Sequence, residues 1–97
     1  METKAFVARL RVERKDDYIE AHNGFSSELR TRYREAGIRQ IRLFLMDEQL
    51  FMYVEADDYE KAHAALAEDP LDRLWQEQVG PMKCPDFQQL TEIFRLD

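Results

Sequence analysis

The sequence predicts an α+β fold built on a four-stranded antiparallel sheet, and two observations predict it. First, segments with a period of two and segments with helical spacing follow one another as strand, helix, strand, strand, helix, strand. That order is the ferredoxin-like split β-α-β arrangement, with helices on one face of the sheet. Second, the strands carry apolar side chains on both faces: Phe6 beside Val7, Leu43 beside Phe44, Phe51 beside Met52. Helices cover only one face. The economical cover for the other is a second copy of the sheet, in a twofold dimer.

Each element has its own justification. Lys4 to Val12 alternates, with Phe6, Ala8, Leu10 and Val12 on one side, and reads as the first strand. Lys15 to Ala36 reads as helix, because Tyr18, His22, Phe25, Leu29, Tyr33 and Ala36 recur at three and four and share a face. Asn23-Gly24 is a poor helix interior, so the segment divides there. Ser26 or Ser27 is a natural cap for the fresh start, with Glu28 well placed in the first turn and Gly37 at the end. Ile41 to Leu45 and Leu50 to Val54 are two more strands, joined through Met46-Asp47-Glu48-Gln49, the length of a hairpin connection. Asp57-Asp58 opens a helix over Tyr59 to Ala67. Asp69 caps another from Pro70 to Val79, stopped by Gly80-Pro81. Cys84 to Gln88 reads as loop and Thr91 to Leu96 as the last strand.

Bulk properties narrow the function. With 97 residues the chain suits one domain, residues 1–97, with a modest core that gains from pairing. A net charge of −6 argues against nucleic-acid binding, which needs a basic patch. No apolar run approaches a membrane span, and the METKAFV start lacks an apolar signal region. Cys84 is the single cysteine, so a reducing, cytoplasmic setting fits. No metal-ligand spacing links His22, His63 and Cys84, and three glycines are too few for a phosphate-cradling or dinucleotide loop, so no cofactor is expected. Cys84 reads as an inert thiol and His63, on an acid-flanked helix, as a surface residue.

His22 remains. A lone histidine on an apolar helical stripe is commonly a packed core residue, but here the Asn-Gly break removes regular backbone beside it and makes room for a cleft. Tyr18, one turn earlier, adds a second proton-capable group on the same face. An imidazole can give or take a proton near neutral pH. Trp75 suits either a core or a pocket wall.

The chain resembles the L-rhamnose mutarotase family over nearly its full length. The resemblance rests on Lys4-Ala5-Phe6-Val7, Tyr18 followed by His22-Asn23, Glu28-Leu29, Gly37, Leu50-Phe51 with Val54-Glu55, Trp75, and Thr91-Glu92-Ile93-Phe94. It implies a dimeric α/β barrel that interconverts the α and β anomers of a free aldose without metal or cofactor. It also implies that His22 matches the catalytic acid, Tyr18 a sugar-contacting residue, and Trp75 one of two adjacent aromatics beside the sugar. The family carries tyrosine at Ile41, tryptophan at Leu74 and a Trp-Pro pair at Ser26-Ser27. Ile41 and Leu74 are therefore candidate sugar-contacting positions with apolar surfaces, suited to a 6-deoxyhexose such as L-rhamnose or L-fucose. Anomer exchange needs a base at the anomeric hydroxyl and an acid at the ring oxygen. The competing readings are a non-enzymatic small-ligand or regulatory dimer on the same fold and a cofactor-free oxygenase, since fold alone does not fix chemistry.

Overall fold

A computed structural model describes all residues, 1–97. The strands are β1 (Glu2–Arg9), β2 (Ile38–Met46), β3 (Gln49–Ala56) and β4 (Gln88–Leu90). The helices are α1 (Lys15–Asn23), α2 (Ser27–Ala36), α3 (Tyr59–Ala67) and α4 (Pro70–Val79), with short 3-10 turns at Val12–Arg14 and Gly80–Met82. The sheet runs β2-β3-β1-β4 and every neighbouring pair is antiparallel. This is the ferredoxin-like arrangement that the element order predicts.

Local chemistry sets the boundaries. Gly24 closes α1, and the Ser26 hydroxyl accepts from the Leu29 amide 3.1 Å away to start α2. Gly37 ends α2 at φ +105, a conformation that a side chain would strain. Asp58 and Asp69 cap α3 and α4 through their carboxylates, and Pro70 occupies the first helical position. Asp47-Glu48 makes the two-residue turn between β2 and β3, with Asp47 at φ 55, which a short polar side chain tolerates.

Strands β2 and β3 run longer than the sequence reading, over Ile38–Met46 and Gln49–Ala56, and the end of β1 and the last strand are displaced. The first strand ends at Arg9, paired with Gln49, because its partner strand turns away there. Beyond it Leu10 bridges to Lys83, Arg11 donates to the Met82 carbonyl, and Val12 is exposed instead of buried. The last strand is not Thr91–Leu96 but Gln88–Leu90, within and just after the expected loop. Phe87 stacks on Phe6 at 4.9 Å, and the backbone pairs with β1 immediately after it. Residues 91–97 then run without regular structure, their path held by Arg95, which donates to Thr3. Ile93, Phe94 and Leu96 are exposed: their apolar pattern has nothing to bury against within one chain.

The helix side of the sheet holds two apolar clusters. Phe6, Ile38, Val54, Ala56, Ala62 and Leu66 fill the end under α3. Ala8, Leu10, Tyr18, Leu50, Val79 and Met82 fill the end under α1 and α4. The opposite face, where Val7, Phe51 and Phe44 lie side by side in register, carries no helix.

Candidate active site

The site begins with one turn of α1. Tyr18 is buried and His22 half-buried on the next turn, with ring centroids 4.4 Å apart. His22 Nδ1 lies 2.8 Å from the Tyr18 carbonyl oxygen. A carbonyl only accepts, so Nδ1 must carry the hydrogen, and in the neutral ring the lone pair sits on Nε2. Burial lowers the His22 pKa from its ordinary value. The bond to Tyr18 opposes that shift in part, and the positive charge of Lys83 adds to it. At neutral pH the imidazole is therefore a neutral base of fixed tautomer. Burial pushes the Tyr18 phenol up to about 12, so it stays protonated.

These two rings line a cavity of about 490 Å³, the size of a small-molecule site. Trp75, from α4, meets His22 edge-on with centroids 4.9 Å apart and meets Phe25 the same way at 4.9 Å. Phe25 in turn meets Tyr33 at 5.6 Å, so aromatic rings run unbroken along one wall. Ile41, Leu43 and Met52, from β2 and β3, form the sheet-side floor.

Polar contacts tie the two wall helices together. The Tyr33 hydroxyl donates to Asp72 Oδ1 at 2.5 Å, and Arg32 donates to Asp69 at 2.8 Å, both from α2 to α4. Asp72 is 6% exposed and sits in the first turn of α4, where the helix dipole favours an anion. Burial, and then this carboxylate, raise the Tyr33 pKa above its ordinary value.

Lys83 completes the lining. Its segment is tied to the end of β1 by the Leu10 bridge and by the Cys84 amide donating to Arg9 at 2.7 Å. The side chain is half-buried with its ammonium 5.7 Å from the Phe87 ring centroid. No carboxylate pairs with it. Burial lowers its pKa from the ordinary lysine value.

Tyr18, His22, Ile41 and Trp75 thus meet in one cavity, but Leu74 does not join them. A helix turns by about 100° per residue, so the neighbour of an inward Trp75 points elsewhere. Leu74 is 63% exposed and lines a neighbouring groove of about 600 Å³ with Asp17 and Glu20, on the other side of Trp75, which borders both. His63 is exposed, as expected. No three or more His, Cys, Asp or Glu side chains gather as a metal site would require. Lys83 escaped the sequence reading because it lies in irregular chain with no periodicity. Asp72 had a readable signal: it shares the spacing of Trp75 and Val79, and so the inward face of α4.

The family profile for L-rhamnose mutarotase matches residues 3–96. The L-rhamnose mutarotase of Oceanobacillus iheyensis is 28% identical over 105 aligned residues, covering all of both chains. Among solved structures, an L-rhamnose mutarotase from Formosa agariphila superposes with a TM-score of 0.83 at 21% identity, covering all of both chains. Tetracenomycin F2 cyclase from Streptomyces glaucescens superposes at 0.74 and 20% identity, over all of this chain and 98% of that one. At such identities the superpositions speak for the fold alone.

Proposed function

This chain belongs to the L-rhamnose mutarotase family, a family of carbohydrate isomerases, and on that premise we propose that it interconverts the α and β anomers of a 6-deoxyhexose, L-rhamnose or L-fucose, with His22 as a proton-transfer residue. The observation that carries this reading is the neutral His22, its Nδ1 tied to the Tyr18 carbonyl and its Nε2 left as the base in an aromatic-walled cavity. Nε2 takes the proton of the anomeric hydroxyl as the bond from C1 to the ring oxygen breaks, and the imidazolium so formed acts as the acid that protonates the ring oxygen. After the carbonyl has turned to present its other face, closure reverses both transfers. Trp75 offers a flat apolar edge to the sugar ring, and the protonated Tyr18 shapes the cavity beside it. Ile41, with Leu43 and Met52, offers an apolar seat for the C6 methyl group.

The same reading includes a homodimer. The helix-free sheet face exposes Phe44 beside Phe51, with Val7 on the next strand, and the tail leaves Ile93, Phe94 and Leu96 in solvent. A second copy buries both, since apolar surface of this kind marks an interface. Sedimentation should give a dimer at micromolar concentration; monomer throughout that range would remove this part of the proposal. One cysteine and no disulfide suit a cytoplasmic setting. No helix is long and apolar enough to cross a membrane.

Saturation transfer between the anomeric proton resonances tests the activity. The protein should accelerate exchange of L-rhamnose or L-fucose well above buffer. Exchange at the buffer rate for both sugars would remove the proposal.

A further inference from the structure

The cavity and the chain that builds it carry opposite charge. The chain holds 20 acidic and 14 basic residues, for a net charge of −6. Of the sixteen residues that line the cavity, Arg30, Arg34, Arg39 and Lys83 are basic and none is Asp or Glu. A lining drawn evenly from this sequence would hold more acids than bases. Resting on the mutarotase reading, we propose that the cavity takes an anionic sugar, a 6-deoxyhexose with a sulfate or phosphate ester on a ring hydroxyl, held by Arg30 and Arg34.

The protein leaves most of this charge without a partner. Arg39 pairs with Asp57, but Arg30, Arg34 and Lys83 form no ion pair. Arg30 and Arg34 lie one turn apart on α2, and both line the cavity. Like charges at that spacing repel and weaken a helix. An anion seated between them replaces the repulsion with two attractions. Arg30 is also placed: its guanidinium carbon lies 5.5 Å from the centroid of the Phe25 ring, a cation–π contact. A guanidinium presents its donors in a planar fork that matches the oxygens of an anionic ester. The groove on the other side of Trp75 has the reverse character, with Asp17 and Glu20 against Arg14 as its one base. The positive field therefore belongs to the cavity itself, where low-dielectric aromatic walls focus it on a ligand.

Such an ester fits beside the other contacts of the sugar. The anomeric carbon belongs at His22, and the C6 methyl group on Ile41. An ester on the anomeric oxygen would block ring opening, so the anion must sit on one of the other ring hydroxyls. Those hydroxyls face the wall that remains, and Arg30 stands on it. Trp75 meets His22 at 4.9 Å, Phe25 meets Trp75 at 4.9 Å, and Arg30 lies over Phe25, so its charge is two aromatic rings removed from the reacting centre. With the anomeric hydroxyl free, the ester takes part in binding alone and the proton transfers are those of the parent sugar. A neutral sugar offers hydroxyls to the same guanidiniums, and such bonds are weaker than those to an anion.

The test compares wild type with a protein carrying both Arg30→Gln and Arg34→Gln. The probes are L-rhamnose, L-fucose and the ring monosulfates and monophosphates of each, with calorimetry reading binding and saturation transfer reading anomer exchange. Wild type should bind at least one ester about tenfold to a hundredfold more tightly than its parent sugar in dilute buffer, the reach of charge-assisted hydrogen bonds. It should also exchange the anomers of that ester well above the buffer rate, and the better-bound series names the anion. Added sodium chloride should shrink the advantage, because both guanidiniums are exposed and salt screens them. In the double variant the ester and its parent should bind within about threefold of each other. Glutamine suits a helix as well as arginine does; should the variant still fail to fold, the salt dependence of wild type decides. Equal affinity for every ester and its parent would overturn the proposal, as would an advantage that survives in the double variant. Tight binding of an ester whose anomers exchange only at the buffer rate would make it an inhibitor and overturn it too. Wild type that exchanges no sugar, neutral or esterified, sinks the mutarotase reading; exchange of the neutral sugars with no preference for an ester sinks only the anionic substrate.

Discussion

The two ends of the helix-covered sheet face differ in how they are filled. Under α3 the space is closed by small and aliphatic side chains, with Ala62 and Ala56 at 0% and 1% exposure beside Val54 and Leu66. Under α1, α2 and α4 the buried cluster stops short, and the gap above β2 and β3 is walled by His22, Trp75, Phe25 and Tyr33. One sheet thus carries a sealed half and an open half. Small alanines lie between α3 and the strands, whereas aromatic rings and the Tyr33–Asp72 pair fill the space between α2 and α4.

Substitutions at the two ends should therefore fail in different ways. The largest effect is expected at the open end. His22→Ala should slow anomer exchange by about 10² to 10⁴, the range for a lost acid-base group. It should also leave a folded protein melting within a few degrees of wild type, because the ring is half-buried with one hydrogen bond. A variant that is folded and as fast as wild type would end the case for His22. At the sealed end, Leu66→Ala should cost about 2–5 kcal/mol in denaturant unfolding, while the folded fraction keeps its rate. Lost activity in that folded fraction would mean the two ends are not independent.

Tyr33→Phe probes the contact that ties the two wall helices of the open half together. It removes the donor to a buried carboxylate and should cost about 1–3 kcal/mol. It should also weaken sugar binding more than it slows the bound sugar. No change in either would show that the α2–α4 spacing has another cause. The floor of the open half should also discriminate among sugars. L-rhamnose over L-mannose, and L-fucose over L-galactose, should be favoured by about tenfold to a few hundredfold, the reach of an apolar contact. Equal rates within each pair would remove Ile41 from the specificity argument.

The smallest effect is on acid stability. The folded-state pKa of His22 lies below its unfolded value of about 6.5. As pH falls through that window the unfolded chain binds the proton first, so stability drops below about pH 6.5 and is unaffected above it. His22→Gln should flatten this part of the profile in thermal melts. An unchanged slope would assign the acid sensitivity to other groups.

How far the sequence reached follows the same division. Periodicity and capping residues are local, so the helices were legible to within a residue or two: Ser26, Gly37, Asp58 and Asp69 each mark a boundary that the fold uses. The stripe from Tyr18 to Ala36 was legible for the same reason, and every member is buried or half-buried. The last strand was not legible, because apolar residues announce a wish for burial without naming a partner. Ile93 and Phe94 look like strand residues whether they pair in this chain or elsewhere. Of the cavity lining, His22 and Tyr18 could be picked out by spacing and resemblance together, and Trp75 by resemblance alone. Lys83 could not, because its place depends on where an irregular segment returns to β1. Leu74 was singled out because the family carries tryptophan there, yet adjacency to Trp75 in a helix separates two side chains.

The wiring of β1 bears on how the protein is made. This strand lies inside the sheet, and its last neighbour comes from the far end of the chain: Ala5 sits beside Leu90. The ribosome delivers about 5–20 residues per second, so β1 waits roughly five to twenty seconds before that neighbour exists. Through that interval Phe6 lacks the ring of Phe87 and one β1 edge stays unpaired. The β2–β3 hairpin can form as soon as it emerges, because its register needs only neighbouring residues. Synthesis therefore favours a hairpin that recruits β1 first and gains β4 at the end. Chain shortening near Leu90 should trap the nascent protein with an open sheet edge, a ready template for unwanted strand pairing.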